Sequence, residues 1–142
     1  MKTINNNEYP RMGEIWLVNI SNAIGHQQGG IRPMLIASNN VGNCHASIFE
    51  GIAFTTQRQN NVQPTHANFK AGEAGLQEDS TLLAEQKWPI NDYQLLKIIG
   101  VMNDDQLLRA SAAILISNPF LVAAVEAGVQ NTNAFKKVAC AC

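Results

Sequence analysis

The sequence has 142 residues, of which 46% are hydrophobic and 15% charged, and its formal net charge is -1. This length gives one domain by default, and the apolar content excludes a disordered chain. The near-neutral charge excludes a global positive field toward nucleic acid, although a local basic site is compatible with it. The most apolar stretch, 110–129, is interrupted at Ser117-Asn118-Pro119 and carries Glu126. A membrane span of ~20 apolar residues is therefore not expected.

The three cysteines are Cys44, Cys140 and Cys142. An odd number of cysteines, with no secretory leader in the polar N-terminal residues, argues against a disulfide scaffold. The last two cysteines have poor spacing for a zinc site. We therefore expect a reduced, cytoplasmic chain.

Strand patterns dominate the first two thirds of the chain. Residues 13–20 place apolar side chains on nearly both faces of a predicted strand. Further strands are predicted at 32–38, 47–56, 65–70 and 80–86, separated by polar loops at 21–30 and 57–64 and by turns at 39–43 and 71–75.

Helical spacing then replaces the alternating pattern. Residues 92–97 are predicted as one helical turn, and 104–117 as a helix capped by Asn103 or Asp104. Pro119 can break this helix or open another one. Five short strands followed by a helix predict a mainly β fold, namely a small antiparallel barrel with a C-terminal helix.

Polar residues gather at the predicted strand ends. His26 and Gln28 precede Arg32, Thr55 closes the third strand, and Glu85 closes the fifth. Their types suit metal-free cleavage of an RNA phosphodiester, which needs a proton acceptor, a proton donor and a cation for the phosphate. Arg32 can hold a phosphate, Glu85 or His26 can exchange protons, and Thr55 can donate to an oxygen. We expect Arg32 and Thr55 to face this rim rather than the core.

Each of these residues also has an ordinary structural explanation. An arginine beside glycines is often a surface ion-pair partner, and a glutamate at a strand end is usually solvated. Spacing alone therefore supports only a small β-rich domain that could bind an anion.

Five runs of the sequence resemble the MazF/PemK family of toxin endoribonucleases. They are GEIWLV (13–18), IGHQQGGIRPMLIASN (24–39), FTTQ (54–57), PTH (64–66) and GLQEDSTLLAEQ (75–86). The similarity extends from about residue 13 to residue 100, almost without gaps, and is greatest to the chromosomal type of Gram-positive bacteria. It is more specific than any single motif because the motifs occur in order.

The resemblance implies an SH3-like barrel that forms a homodimer. It implies sequence-selective cleavage of single-stranded RNA without a metal or other cofactor, leaving a 2′,3′-cyclic phosphate and a 5′-OH. It also implies a cognate antitoxin whose C-terminal segment lies across the RNA groove, and operator DNA bound only through that antitoxin. Function rests on this resemblance, because the fold alone hosts several roles.

The family's functional positions fall on particular residues of this chain. The catalytic pair falls on Arg32 and Thr55, with His26 and Glu85 at positions that assist catalysis in some members. RNA-binding positions fall on the residues Gln28, Gln57, Gln86 and Lys87. The chain departs from family patterns at Leu83, where some members carry an arginine acid, and at Trp88, beside the position where a basic residue is usual.

The resemblance also divides the chain. It predicts an N-terminal arm at 1–12, the family domain at 13–118 and an extension of unknown role at 119–142. Two alternative functions remain. One is a gyrase poison of the CcdB type, which is disfavoured because the chain lacks that family's C-terminal Trp-Gly-Ile. The other is an inactive family member that acts as a binding module with its antitoxin.

Overall fold

The computed structural model describes residues 9–20, 30–56 and 63–128. Within these ranges six strands form one antiparallel sheet in the order β4-β5-β3-β2-β1-β6. The strands are β1 (Glu14–Asn19), β2 (Ile31–Ile36), β3 (Ile48–Thr55), β4 (His66–Phe69), β5 (Ser80–Asn91) and β6 (Leu95–Val101), and the α-helices are α1 (Asn40–His45), α2 (Asp104–Ser117) and α3 (Pro119–Glu126). The predicted class, mainly β with a C-terminal helix, is confirmed.

Apolar side chains are buried on both faces of the sheet. One cluster lies under α2 and includes Ile15, Ile52, Phe54, Leu82, Ala110 and Ala113. The second cluster includes Trp16, Val18, Met34, Ile36, Ala53 and Ile90. Strand β1 contributes to both clusters, because successive side chains of a strand point to opposite faces. The prediction that this strand is apolar on nearly both faces is confirmed.

Helix α2 begins where the capping pattern predicted. The side chain of Asn103 accepts a hydrogen bond from the backbone N–H of Gln106, and the Gln106 side chain accepts one from the Asn103 N–H. This reciprocal cap satisfies two amides and stabilises a helix by about 1 kcal/mol. Asn118 ends α2 and caps α3, and Pro119 stands in the first turn of α3. Pro119 therefore opens a second helix.

Arg109 ties α2 to the edge of the sheet. Its guanidinium donates to the backbone oxygen of Asn68 on β4 at 2.9 Å and to the carboxylate of Glu73. It also lies over the Phe69 ring, 4.7 Å from the centroid. A single long side chain thus fixes the helix against β4 by charge and by packing.

Two local predictions were wrong. The predicted turn at 39–43 is the start of α1, since Asn39 accepts a hydrogen bond from Gly42 N–H and caps a short helix. The predicted helical turn at 92–97 lasts only through a 3-10 turn, Asp92–Gln94, and the chain then enters β6. The sheet therefore has six strands within the described residues, one more than predicted.

The fifth predicted strand is longer than expected. Strand β5 continues through Pro89 to Asn91, because its second half pairs with β3 while β4 pairs only with residues 80–83. Proline lacks an amide hydrogen, so it is tolerated on the half of a strand that has one partner.

Cys44 is disulfide-bonded, which contradicts the expected fully reduced chain. An odd cysteine count prevents complete pairing but not a single pair. In the described part of the chain no single helix is long and apolar enough to cross a membrane. Helices α2 and α3 together reach that length and apolar content, but they meet at a 101° bend.

Candidate active site

A polar row crosses the sheet at one end of the strands. Thr55, the last residue of β3, pairs with Thr81 on β5, and Thr81 pairs with Asn68 on β4. The register between β2 and β3 includes the pair Met34–Ala53. Continued by two residues along each strand, this register sets Arg32 opposite Thr55. The row therefore spans four strands, from Arg32 to Asn68.

The four side chains of this row share one face of the sheet. Side chains two residues apart along a strand point to the same face. The Arg32 side chain therefore lies on the face that carries Met34, and the Thr55 side chain lies on the face that carries Ala53. Met34 and Ala53 belong to the same buried cluster. The row is the polar margin of that cluster, where the apolar face meets the strand ends.

Two side chains of the row are joined by a hydrogen bond. The Thr81 hydroxyl donates to Asn68 Oδ1 at 2.8 Å. Thr81 is 8% exposed and Thr55 is 7% exposed, whereas Asn68 is exposed and Arg32 is half-buried. The expectation that Thr55 would face the rim rather than the core is therefore wrong, because its side chain is buried. Arg32 is the more accessible member of the pair.

A bulge in β5 lies beside this row. Between the pairs Ile52–Lys87 and Phe54–Leu82, strand β3 has one residue, Ala53, and β5 has four, 83–86. Extra residues in one strand bend it and re-aim its side chains. The bulge carries Glu85 and Gln86, both of them exposed. It accounts for why two of the predicted site residues lie off the regular ladder.

Glu85 is held by a histidine to which sequence reasoning assigned no role. His66 Nε2 lies 2.8 Å from Glu85 Oε1. Partial burial acts to raise the pKa of Glu85. The hydrogen bond and charge of His66, together with hydrogen bonds from the Glu85 backbone and Thr65, outweigh this effect and lower the pKa below that of an ordinary glutamate. Glu85 is therefore an ionised acceptor at neutral pH.

The predicted RNA-binding residue Lys87 lies beyond the bulge. It is half-buried, pairs with Ile52, and lines a surface cavity of about 420 Å³ together with Trp88 and Glu50. Trp88 packs against the second apolar cluster, and its buried Nε1 finds no hydrogen-bond partner within residues 9–20, 30–56 and 63–128. Gln86 lies between Lys87 and Glu85 in the sequence. The positions of Gln86 and Lys87 along β5 separate them from the Arg32–Thr55 pair.

Three predicted site residues, His26, Gln28 and Gln57, lie outside the described residues. The structure brings Arg32 and Thr55 into one row and sets Glu85 next to His66. The run Pro64-Thr65-His66 contained the signal for the missed histidine. Its partner was hidden because the contact depends on the register between β4 and β5.

A family model matches residues 11–117, and it describes a PemK-like, MazF-like toxin of type II toxin–antitoxin systems. The chain belongs to this family. The predicted family is therefore confirmed. The match includes Arg32, Thr55 and Glu85 and ends at the last residue of α2.

Two curated relatives agree with this assignment. The chain is 31% identical over 107 residues to "Endoribonuclease EndoA" of Bacillus subtilis, which covers 75% of this chain and 92% of the relative. It is 30% identical over 107 residues to "Endoribonuclease MazF" of Staphylococcus saprophyticus, covering 75% and 89%. Both relatives fit the predicted similarity to family members of Gram-positive bacteria.

Solved structures confirm the MazF-like fold. MazF from Deinococcus radiodurans superimposes with a TM-score of 0.64 at 20% identity, covering 78% of this chain and 96% of that one. An endoribonuclease from a mycobacterial species, solved with its cognate antitoxin, gives a TM-score of 0.62 at 20% identity and covers 76% and 93%.

Proposed function

We propose that this chain is the toxin of a toxin–antitoxin pair and that it cleaves single-stranded RNA by using the RNA's own 2′-OH as nucleophile. The observation that carries the proposal is the row that aligns Arg32 with Thr55 beside the ionised Glu85, inside a domain of the MazF-like family. The names of the two curated relatives support the endoribonuclease activity.

The chemistry needs little from the protein beyond positioning and charge. The 2′ oxygen forms a bond to phosphorus while the bond from phosphorus to the 5′ oxygen breaks. The 2′ proton passes to a base and the 5′ oxygen takes a proton from an acid, which leaves a 2′,3′-cyclic phosphate and a 5′-OH. Negative charge grows on the non-bridging oxygens, where a guanidinium and a hydroxyl donor stabilise it.

The residues present can be assigned to these roles. Arg32 holds the phosphate with its planar fork and donates to the growing charge. Thr55 donates to an oxygen, and Glu85 accepts the 2′ proton. His26, Gln28 and Gln57 are proposed to join from the neighbouring loops, and Gln86 and Lys87 to contact RNA outside the cleaved bond. Because Leu83 cannot supply a proton, Arg32 also serves as the acid.

We further propose a cytoplasmic homodimer whose groove is occupied by the C-terminal segment of a cognate antitoxin, with operator DNA reached only through that antitoxin. The solved structures of MazF-like proteins with antitoxin support this partner. Light scattering is expected to give twice the 15.5 kDa chain mass at micromolar concentration. A mass that stays at that of one chain at all concentrations would contradict the dimer.

The proposed cleavage is tested with purified full-length protein, a long RNA and excess EDTA. We expect cuts at a short recurring sequence, each leaving a cyclic phosphate and a 5′-OH. A matched RNA with a single 2′-deoxy sugar at the cut site should stay intact, because its nucleophile is missing. Cleavage of the deoxy substrate, or cleavage that EDTA abolishes, would contradict the mechanism.

A further inference from the structure

His66 and Glu85 form a pair in which the donor is buried and the acceptor is exposed. The His66 side chain is 7% exposed, whereas that of Glu85 is 41% exposed, and Nε2 and Oε1 are 2.8 Å apart. A carboxylate can accept about four hydrogen bonds, so the exposed Glu85 side chain can accept one from a ligand while His66 holds Oε1. This asymmetry distinguishes the pair from Lys70–Asp79, in which both side chains are largely exposed and the separation is 3.6 Å.

The hydrogen-bonding pattern of the His66 ring also indicates that His66 holds Glu85 in place. An ionised carboxylate only accepts, so Nε2 carries a hydrogen and donates it to Glu85. The other ring nitrogen, Nδ1, is buried and has no hydrogen-bond partner among the residues that the structure describes. Leaving a buried polar atom unpaired has a cost in stability, and such atoms in a folded protein call for an explanation. Orientation of Glu85 provides one.

The pair lies next to the polar row. His66 is the cross-strand partner of Leu83, and two residues further along the same ladder Asn68 pairs with Thr81. Two residues of a strand span about 7 Å. His66 and Asn68 point to the same face, so the imidazole and the carboxylate it holds lie on the side that carries Thr55. Glu85 follows Leu83 by two residues, so it points to the face that carries His66.

Few titratable side chains are found on the three strands around this position. Strands β3, β4 and β5 carry four titratable side chains, Glu50, His66, Glu85 and Lys87. Glu50 pairs with Pro89, beyond the bulge. Among the side chains of these three strands, His66 is the one that lowers the pKa of Glu85. Its removal therefore changes the surroundings of the Glu85 carboxylate directly.

We propose that His66 is a positioning residue, which fixes the Glu85 carboxylate so that it meets the 2′-OH of the bound RNA. The inference rests on the proposed function. In the reaction, the 2′ proton passes to the Glu85 carboxylate while the 2′ oxygen bonds to phosphorus, the bond from phosphorus to the 5′ oxygen breaks, and the 5′ oxygen takes a proton from the acid. The His66 Nε2–H stays on Oε1 throughout and holds the carboxylate in place.

The test compares His66→Phe, His66→Gln and Glu85→Gln with the wild type in single-turnover cleavage across pH. Phenylalanine keeps the ring volume and removes the donor, whereas glutamine restores an N–H at similar reach. Misplacing a reacting group by about 1 Å costs on the order of 100-fold. We expect a loss of about that size in His66→Phe and a much smaller loss in His66→Gln.

The pH profile separates positioning from a merely structural role. Loss of the donor raises the pKa of Glu85, so the acid limb of the His66→Phe profile should move to higher pH, and the limb should vanish in Glu85→Gln. His45→Gln, on the exposed end of α1, is the matched control and should behave as wild type. Thermal melts establish that each variant is folded.

The outcomes are distinguishable. If the wild type cuts RNA and folded His66→Phe cuts it equally fast with an unmoved acid limb, the positioning role is overturned and the proposed function stands. If His66→Phe does not fold, the same comparison of rate and acid limb between His66→Gln and His66→Ala decides. A folded wild type that cuts no RNA overturns the proposed function itself.

Discussion

Thr55 and Thr81 lie directly opposite each other on β3 and β5, and both are more than nine-tenths buried. A threonine pair at the end of two central strands places hydroxyls where the apolar cluster stops and solvent begins. Thr81 commits its hydrogen to Asn68 at 2.8 Å. The row therefore has a fixed half, Thr81–Asn68, and a half that is proposed to meet RNA, Arg32–Thr55.

The first prediction concerns the proposed catalytic pair. Arg32→Ala should abolish detectable cleavage, and Thr55→Ala should leave a trace, because losing one donor to growing charge costs about 10²–10³ in rate. Arg32→Lys should also fail, since a point charge does not replace the planar fork. Single-turnover cleavage of a fluorogenic oligonucleotide measures these rates.

Burial of Thr55 requires a control that the sequence did not suggest. Thr55→Ala removes a buried methyl and hydroxyl together, whereas Thr55→Ser keeps the hydroxyl and Thr55→Val keeps the volume. The cleavage rate should depend on whether the hydroxyl is kept, and the free energy of unfolding should depend on whether the side-chain volume is kept. Full activity in folded Arg32→Ala or in Thr55→Val would remove the corresponding catalytic assignment.

The second prediction concerns the fixed half of the row. Thr81→Val deletes the hydrogen bond to Asn68 while keeping the side-chain volume. Because Asn68 is exposed and can turn to water, the expected loss in the free energy of unfolding is about 1 kcal/mol. Urea unfolding measures it, with Thr81→Ser as the variant that retains the donor. Equal stability of Thr81→Val and wild type would show that the hydroxyl contributes nothing to the fold.

The third prediction concerns acid stability through Glu73. The Arg109 hydrogen bond, followed by the Lys70 backbone N–H, lowers the pKa of Glu73 below its ordinary value of 4.5. A carboxylate whose pKa is lowered by folding stabilises the folded state above its unfolded pKa and loses that effect as pH falls through the folded value. Glu73→Gln should therefore be less stable than wild type at neutral pH, with a difference that shrinks as pH falls below 4.5.

The control for this experiment is Glu78→Gln, since Glu78 is exposed in the same segment. Thermal melts from neutral pH to well below the ordinary glutamate pKa compare the three proteins. A Glu73→Gln difference that stays constant over this range would mean that the ion pair with Arg109 is not its source.

Most elements of the fold could be predicted from local sequence patterns. The pattern of apolar residues at 13–20 and the predicted cap at Asn103 or Asp104 act within a few residues, and the structure has β1 and α2 where these patterns predicted them. The residues Leu95–Val101 were missed because their apolar run lacks alternation and follows a genuine cap. Asn91 and Gln94 do form a capping box, but only one 3-10 turn follows it.

Part of the candidate site could likewise be predicted from the sequence, and part could not. Arg32 and Thr55 could be chosen because each stands in a sequence motif. The pairing of His66 with Glu85 could not be predicted, because it depends on the β4–β5 register. Residues far apart in sequence meet there only after two strands have aligned.

The last prediction concerns the close contact between β6 and the 3-10 turn at Glu73–Gly75. A Cβ on Gly100 would lie 2.0 Å from the backbone oxygen of Ala74, and a Cβ on Gly75 would lie 1.9 Å from that of Ile99. Neither backbone can yield without separating the turn from the strand. Gly75 also has a positive φ of 80°, which L-residues rarely adopt, whereas Gly100 is not among the positive-φ glycines.

Gly100→Ala should therefore destabilise the fold by clash alone, and Gly75→Ala by clash and backbone strain together. Gly72 offers the matched control, since its φ is 93° but no atom of the described part of the chain lies within 4 Å of the position that a Cβ would take there. Gly72→Ala should show only the conformational cost, roughly 1 kcal/mol. Urea unfolding should rank the losses as Gly75→Ala, then Gly100→Ala, then Gly72→Ala. A Gly100→Ala protein as stable as wild type would contradict the close approach of β6 to this turn.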